Sequence, residues 1–214
     1  MLPLVLGRVS ELVLIGAHCD DIVIGAAGLV ATIIAGRPEV RIRALVMTGA
    51  ESEREHEERA ALGALASGAA LEVRVLGLPD GHLPEHWAEV KLALGDLAAS
   101  GPADLVLAPH RHDAHQDHRL LGELTPTAFR DRLILGYEIL KWESDLPSTT
   151  IYQPLAPEQA SAKVELVERF YRSQAGHDWF DREAFLGLMR VRGAQAQARY
   201  AEAFVAEKLT LAPG

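Results

Sequence analysis

The sequence predicts an α/β fold built on a mostly parallel β-sheet. Short apolar segments rich in Val, Ile and Leu alternate along the chain with longer segments of helical pattern. Apolar strands of this kind are typical of parallel sheets that are covered on both faces. Because alternating strands and helices favour a doubly wound sheet, we expect a Rossmann-like fold of three layers, with helices on both faces.

Five segments are predicted as strands, and three of the segments between them are predicted as helices. The predicted strands are 11–17, 40–48, 71–76, 104–108 and 133–139. The predicted helices are 21–36, which ends at a glycine, 52–67, which begins at a Ser-x-x-Glu-like cap, and 83–100, which ends before Gly-Pro.

The alternation weakens in the C-terminal third of the chain. Segment 149–155 is predicted as one more strand, 158–173 as an amphipathic helix, and 185–207 mostly as helix with a break at Gly193. No linker rich in Pro, Gly or Ser separates this part from the rest. We therefore predict one domain over residues 1–214, with a C-terminal elaboration of the main sheet.

Charge and cysteine content exclude several classes of protein. The 214 residues include 21 Lys and Arg against 30 Asp and Glu, which gives a formal charge of −9. Since nucleic acids are bound by basic surfaces, we expect no nucleic-acid partner. Cys19 is the single cysteine, so no intrachain disulfide is expected, and this favours a reducing, cytoplasmic location.

The apolar segments near the N-terminus do not predict a targeting or membrane segment. The first 21 residues lack a basic region followed by a small-residue cleavage site, as a secretory signal requires. The longest apolar run, 22–36, is shorter than the roughly 20 residues that a helix needs to span a bilayer. We therefore expect no membrane span.

Two loops that follow predicted strands carry unusual polar side chains. The first, 16–21, follows the first strand, and the second, 109–118, follows the fourth. In open α/β sheets ligands bind beyond the carboxyl ends of the strands, so we expect both loops to face one crevice. Imidazole and carboxylate groups together are typical ligands of catalytic zinc. The paired loops predict a metal-hydrolase site, with the candidate residues His18, Asp20, Asp21, His115, Asp117 and His118.

Simpler interpretations of each loop stay open at this point. Asp20 or Asp21 can cap the helix that follows, and a histidine-rich loop can be merely solvated. A dinucleotide-binding turn is disfavoured, since Gly16, Gly25 and Gly28 lack the G-x-G-x-x-G spacing and carboxylates repel phosphate.

At these loops the sequence resembles the zinc-dependent LmbE-like, or PIG-L, family of de-N-acetylases. The family signature is an Ala-His-Pro-Asp-Asp loop after the first strand and a downstream Asp-x-His-x-Asp-His. This chain has Ala-His-Cys-Asp-Asp at 17–21 and Asp-Ala-His-Gln-Asp-His at 113–118. Further similarity lies at 48–51, 78–81, 173–174 and 200–204, with Arg54 and Glu57, so the resemblance spans most of the chain.

The resemblance implies a hydrolase that removes an N-acetyl group from a small molecule containing an amino sugar. It implies one zinc ion (Zn²⁺) per chain, bound by His18, Asp21 and His118, which lowers the pKa of a bound water. Asp20 is then the general base that acts on this water. The proton for the leaving amine comes from Asp20 or His115, and the sequence leaves this choice open.

Four further residues receive roles from the same resemblance. A protonated His115 stabilises the negative charge that develops on the acetamide oxygen, and Asp117 orients His115 and keeps it charged. Arg54 corresponds to a position that contacts substrate hydroxyls or phosphate, and Asp80 to one that contacts sugar hydroxyls. On general grounds Arg54 can equally be a solvated ion-pair partner, and Asp80 can serve only the geometry of its Pro-Asp-Gly turn.

The expected partner is an N-acetylated sugar or glycoconjugate, and an assembly of identical copies is expected from similar family members. Two other functions on the same scaffold stay open: an amidase that acts on a thiol conjugate or another acylated amine, and a non-catalytic protein that binds a sugar or a nucleotide sugar. Aromatic side chains cluster late in the chain, at Phe170, Tyr171, Trp179, Phe180 and Phe185. A core or subunit contact is the favoured role for these side chains, ahead of a platform for sugar stacking.

One departure from the family signature lies within the first loop. Cys19 stands where the family has proline, which places a thiol beside the expected metal. Zinc accepts thiolate ligands, so Cys19 is either an alternative ligand or a packing residue, and packing is favoured.

Overall fold

The computed structural model describes residues 3 and 5–210 of the chain. Within these residues, seven strands form one sheet in the order β3-β2-β1-β4-β5-β7-β6, flanked by six α-helices. The strands are β1 (Glu11–Gly16), β2 (Arg41–Thr48), β3 (Ala70–Leu78), β4 (Leu105–Pro109), β5 (Leu133–Tyr137), β6 (Ile151–Leu155) and β7 (Tyr200–Ala206). The helices are α1 (Asp21–Gly36), α2 (Glu53–Ala66), α3 (Trp87–Ala99), α4 (Gln116–Ala128), α5 (Pro157–Phe170) and α6 (Arg182–Gln195).

The sheet is mostly parallel, as predicted, and the order of its strands creates a crevice beside β1. Strand β1 pairs in parallel with β2 on one side and with β4 on the other. The chain therefore runs outward from β1 to β3 and then returns to the opposite side at β4. At such a switch point the loops after the two central strands diverge, and ligands bind between them. The two polar loops predicted from the sequence, 16–21 and 109–118, are the loops that follow β1 and β4.

The core forms on both faces of the sheet because strand side chains alternate in direction. Leu12 and Leu14 of β1 pack into one apolar layer, together with residues of α1, α2, α5 and α6. Val13 and Ile15 pack into the other layer, with residues of α3 and α4. This three-layer arrangement confirms the predicted fold class. Among the described residues, no helix combines the length and hydropathy needed to cross a membrane.

The C-terminal part differs from the helix predicted over 185–207. Helix α6 ends at Gln195, and β7 follows as a strand that pairs antiparallel with both β5 and β6. The sequence did not indicate this strand, because a charged residue, Glu202, lies within it at a position that is buried in the sheet. Its carboxylate accepts hydrogen bonds from the backbone N–H groups of Gly28 and Leu29, both at 2.7 Å, and from Lys163 Nζ at 2.6 Å.

A close contact between α1 and β5 predicts that Gly25→Ala destabilises the fold. A Cβ atom at Gly25 would overlap Cδ2 of the Tyr137 ring. The Tyr137 ring is buried and its hydroxyl donates a 2.6 Å hydrogen bond to the carbonyl of Ile15, so the ring is held in place. We expect the variant to lose about 1–3 kcal/mol in free energy of unfolding, measured by urea denaturation.

Gly63→Ala is the matched control for this prediction. Gly63 lies inside α2. Apart from its chain neighbours and the backbone of its own helix, a Cβ atom there would have no heavy atom of the described residues within 4 Å. Since glycine lowers helix stability, we expect this variant to gain about 0.5–1 kcal/mol. Equal effects of the two substitutions would contradict the packing described for Gly25.

Candidate metal centre and active site

The loops after β1 and β4 meet over the carboxyl edge of the sheet and line a cleft of about 340 Å³. The cleft brings together His18 and His118, which lie 100 positions apart in sequence. Seven of the eight predicted site residues line it, and the eighth, Asp117, is buried and contacts His18. The seven are His18, Asp20, Asp21, Arg54, Asp80, His115 and His118.

Three side chains in this cleft point nitrogen or oxygen atoms at a common centre. Nδ1 of His18 lies 3.1 Å from Nε2 of His118. Oδ1 of Asp21 lies 3.3 Å from the same Nε2, and Oδ2 of Asp21 lies 3.6 Å from Nδ1 of His18. Tetrahedral zinc with bonds of about 2.0–2.2 Å separates its ligand atoms by roughly 3.3 Å. The donor types and these separations are compatible with zinc, and His115 also lies close enough to His18 and His118 to offer a ligand nitrogen.

The first loop is locked in shape by the Asp21 carboxylate. Its Oδ2 accepts hydrogen bonds from the backbone N–H groups of Ala17 at 2.8 Å and His18 at 2.9 Å. Asp20 adopts a φ of 139°, a region that residues other than glycine rarely occupy. Strained backbone of this kind is tolerated where surrounding contacts hold it, and it clusters at functional sites.

Each of the two histidines also faces carboxylates through its other ring nitrogen. Nε2 of His18 lies 3.1 Å from Oδ2 of Asp117 and 3.0 Å from Oδ1 of Asp80. Nδ1 of His118 lies 3.3 Å from Oδ2 of Asp113, without hydrogen-bond alignment. Carboxylates in these positions orient metal-binding imidazoles and raise their basicity. No role for Asp113 was predicted from the sequence, although Asp113 is the first residue of the Asp-x-His-x-Asp-His motif.

A second cluster, of two acidic side chains and a histidine, lies beside this centre and contacts the ammonium group of a lysine. His110, Asp113 and Asp145 lie close enough together to be considered as metal ligands. However, Nζ of Lys141 lies 3.1 Å from Asp113 and 2.7 Å from Asp145. The lysine ammonium therefore lies between the two carboxylates and offsets part of their charge, and we do not assign a metal to this cluster.

The carboxylates hold protons on the two histidines when no metal is present. Burial favours the neutral ring of His118, but Asp21 and Asp113 outweigh it and raise the pKa of His118 to about 9. Burial likewise opposes charge on His18, yet Asp21 and Asp117 raise the pKa of His18 well above its ordinary value. A centre with this excess of negative charge favours a bound cation.

These raised pKa values predict that metal affinity increases with pH. Below a pH of about 9 a proton occupies His118 and competes with the metal, and each displaced proton changes the affinity about tenfold per pH unit. Zinc binding measured by competition with a chelator between pH 6 and 9 is expected to strengthen steadily. Asp113→Asn, which lowers the pKa of His118, is expected to flatten this dependence, and a pH-independent affinity in the unsubstituted protein would contradict it.

Asp20 lies on the cleft beside the three candidate ligands and pairs with Arg54. A guanidinium nitrogen of Arg54 lies 2.9 Å from Oδ2 of Asp20, and the same nitrogen donates to the carbonyl of Cys19. Burial raises the pKa of Asp20 to about 7, although Arg54 opposes this shift. A carboxylate that titrates near neutral pH has the proton affinity expected of a general base.

The structure pairs Asp117 differently from what the resemblance implied. Its carboxylate accepts hydrogen bonds from the backbone N–H groups of Gly81 at 2.8 Å and Leu83 at 3.0 Å, and it contacts His18. His115 meets Asp117 through the backbone instead, where the Asp117 N–H donates to Nδ1 of His115 at 3.3 Å. Asp117 is therefore placed to orient His18 rather than His115.

His115 lies beside both histidines of the centre, and its surroundings favour the neutral ring. The three imidazole rings have centroids 4.6–5.0 Å apart. Burial, together with the charges of His118 and His18, lowers the pKa of His115. The resemblance implied a charged His115, and in the metal-free protein this lowered pKa opposes that charge. In the neutral ring, Nδ1 accepts from Asp117, so Nε2 carries the proton.

Arg54 and Asp80 line the cleft but already have partners within the protein. Arg54 is engaged with Asp20 and the backbone of Cys19, as described above. Asp80 is largely exposed and contacts His18 through one carboxylate oxygen. Both side chains therefore contact a residue of the centre as well as lining the cleft.

Cys19 faces away from the candidate metal ligands. Its Sγ is buried and lies 3.5 Å from the carbonyl oxygen of Thr48, and a Cβ at Gly49 would lie 2.9 Å from it. Burial raises the pKa of the Cys19 thiol strongly, so the thiol stays protonated. These contacts support packing, the favoured interpretation, over metal ligation.

The fold and the cleft define an α/β protein with a histidine- and carboxylate-lined site at the switch point of a parallel sheet. The profile of the PIG-L family, described as GlcNAc-PI de-N-acetylase, matches residues 13–129, which is more than half of the chain. The chain belongs to this LmbE-like family of de-N-acetylases. Membership in such a family supports an enzyme of the hydrolase type.

Solved structures share the fold at low sequence identity. A conserved protein of Thermus thermophilus is 23% identical, with 96% of this chain and 98% of that chain covered and a TM-score of 0.71. N,N'-diacetylchitobiose deacetylase of Pyrococcus horikoshii is 20% identical, with 92% and 84% covered and a TM-score of 0.68. The 4-carboxy-2-hydroxymuconate hydratase GalB of Pseudomonas putida KT2440 is 16% identical, with 96% and 99% covered and a TM-score of 0.69.

These likenesses establish the fold, and the reaction has to be argued from the site. A deacetylase and a hydratase both share the architecture, so architecture alone does not select the chemistry. The curated proteins contain no match to this sequence.

Proposed function

We propose that this chain is a zinc-dependent hydrolase that removes the N-acetyl group from a small molecule containing an N-acetylated amino sugar. The observation that carries the proposal is the convergence of His18, Asp21 and His118, whose ligand atoms lie 3.1–3.6 Å apart. Asp20 lines the same cleft, and the family is one of de-N-acetylases.

His18, Asp21 and His118 would hold the metal, one ion per chain. Two imidazole nitrogens and one carboxylate suit zinc better than magnesium, which prefers oxygen ligands. When bound, zinc supplies Lewis-acid polarisation of a carbonyl oxygen and lowers the pKa of water. Asp117 and Asp113 act as positioning residues, because they contact the outer nitrogens of His18 and His118.

Asp20 serves as the general base in this proposal. It accepts the proton of the attacking water as the carbon–oxygen bond forms at the acetamide carbon. Arg54 holds the carboxylate in position and limits its side-chain freedom. Once protonated, Asp20 can return the proton to the amine nitrogen as the carbon–nitrogen bond breaks, so that acetate and a primary amine are released.

His115 stabilises the developing negative charge as a neutral donor. Its Nδ1 accepts the backbone N–H of Asp117, so the proton on Nε2 is available to the carbonyl oxygen of the substrate. Charge that develops in a buried site is stabilised by donors already oriented toward it. Arg54 and Asp80 are proposed to contact hydroxyl groups of the bound sugar at the cleft wall.

Several broader expectations accompany this function. We propose a single domain over residues 1–214, a cytoplasmic location and an assembly of identical copies. The presence of a single cysteine, which cannot form an intrachain disulfide, supports a reducing compartment. The acidic net charge supports a small-molecule partner rather than nucleic acid.

A substrate panel tests the proposed function. Zinc-loaded protein is incubated with N-acetylglucosamine, an N-acetylated disaccharide and an acylated thiol conjugate of an amino sugar, and primary amine and acetate are quantified. We expect amine and acetate in equal amounts from an N-acetyl sugar. Amine from the thiol conjugate alone would support the amidase alternative, and binding without any amine release would support a non-catalytic sugar-binding protein.

A further inference from the structure

An aromatic wall, formed by Trp142, His177 and Trp179, lines the same cleft as the candidate metal ligands. The three side chains come from two separate connections. Trp142 lies between β5 and β6, whereas His177 and Trp179 lie between α5 and α6. Trp142 lies 35 positions from His177 in the sequence, and no sequence motif links the two residues.

The rings of the aromatic wall are packed in a continuous row. Trp142 meets His177 edge-on, with centroids 5.6 Å apart and an interplanar angle of 88°. His177 and Trp179 are nearly parallel, at 6.1 Å and 9°. Trp179 then contacts Phe180 and Phe185 edge-on, and Phe185 belongs to the core. The row therefore runs from the buried core to the cleft rim.

Polar contacts hold both connections at the cleft. The Glu57 carboxylate of α2 accepts hydrogen bonds from the backbone N–H of Ser173 at 2.8 Å and from its hydroxyl at 2.6 Å. Lys141, next to Trp142, lies between Asp113 and Asp145. Because these contacts fix the chain on either side, the aromatic wall presents a preformed surface.

Trp142 is 70% exposed at the outer end of the row. Side chains that can form hydrogen bonds, Lys141, Glu143 and Gln174, line the cleft around it. A wholly apolar ligand would desolvate these groups without replacing their hydrogen bonds. A sugar ring suits the surface better, because its C–H face packs on an indole while its hydroxyl edge meets the polar groups.

We propose that Trp142 is a specificity-determining residue of this cleft, and that a sugar ring next to the acetylated one packs on the aromatic wall there. This inference rests on the proposed function, since it places the acetylated ring at the metal centre. The cleft of about 340 Å³ lies at the small end of ligand sites, which suits one ring inside and the next at the rim.

Calorimetry with an inactive protein tests this inference without turnover. Zinc-loaded Asp20→Asn protein is titrated with N-acetylglucosamine and with N,N'-diacetylchitobiose, and the ratio of the two Kd values gives the preference for the second ring. We expect the disaccharide to bind more tightly, and Trp142→Ala to reduce the preference about tenfold. Trp87→Ala, which alters an exposed tryptophan on α3 outside this cleft, is expected to leave the preference unchanged.

Three binding results would overturn the inference: an unchanged preference in Trp142→Ala, an equal loss in Trp87→Ala, or no measurable binding of the disaccharide. Conversion of an oligomer to a monomer by Trp142→Ala, seen by size-exclusion chromatography, would also overturn it, because Trp142 would then be a contact between copies. Failure of the proposed function gives a different result. The unsubstituted protein then releases no amine from either sugar, although Trp142→Ala still reduces the binding preference.

Discussion

Asp20→Asn is expected to keep its zinc and to lose nearly all turnover. The substitution removes the proton-accepting oxygen but retains the shape of the side chain. Asparagine, like aspartate, is among the residues found more often at positive φ, so the unusual backbone at this position can persist. Because a general base contributes about 10²–10⁴-fold to the rate, kcat for amine release is expected to fall by that factor.

Two measurements separate this result from general damage to the protein. Metal analysis is expected to find one zinc per chain in both the variant and the unsubstituted protein, since Asp20 is not one of the three candidate ligands. Asp131→Asn serves as the matched control, because Asp131 is exposed and does not line the cleft. We expect its kcat to be unchanged. Full activity in Asp20→Asn would remove Asp20 from its proposed role.

His118→Ala is expected to lose both the metal and the reaction. It deletes the nitrogen that lies within 3.3 Å of both His18 and Asp21, and it leaves those two groups to bind the ion alone. Replacing even an outer partner of a metal ligand weakens binding about 10–100-fold, so the loss here should exceed 100-fold. Zinc affinity measured against a competing chelator provides the readout.

His112→Ala is the natural control for this variant, because His112 is exposed on the same loop. We expect it to bind zinc with unchanged affinity. Since His118 is buried, circular dichroism should accompany the measurement, and His118→Asn offers a polar replacement if the alanine variant folds poorly. Zinc bound at full affinity by a folded His118 variant would refute the ligand set.

The central parallel sheet was predictable because short segments rich in Val, Ile and Leu, such as β1 and β4, alternate along the chain with longer segments of helical pattern. Two later elements were not predictable in this way. Helix α4 begins at Gln116, within the histidine-rich loop, so its first turn looks like a polar connection. Strand β7 contains Glu202, whose burial depends on Lys163 and on backbone donors from α1. Such tertiary contacts override the local pattern.

The site was predictable as a set of residues but not as a network of contacts. Strand-end placement and the family motifs brought His18, Asp21 and His118 into one group, and their side chains converge in the structure. The contact of Asp117 with His18 was not predictable. The Asp117 carboxylate is held by backbone N–H groups of Gly81 and Leu83, which follow β3 in a different part of the chain. Trp142 carried no motif at all, and only the folded chain brings it to the cleft.

A zinc titration of the metal-free protein tests the proposed metal-dependent reaction most directly. The protein is stripped with a chelator, zinc is returned in fractions of an equivalent, and acetate and amine release from an N-acetyl sugar are measured at each step. We predict no release without metal and a linear rise that ends at one zinc per chain. Undiminished release from the metal-free protein, or no release at any zinc content, would contradict the proposal.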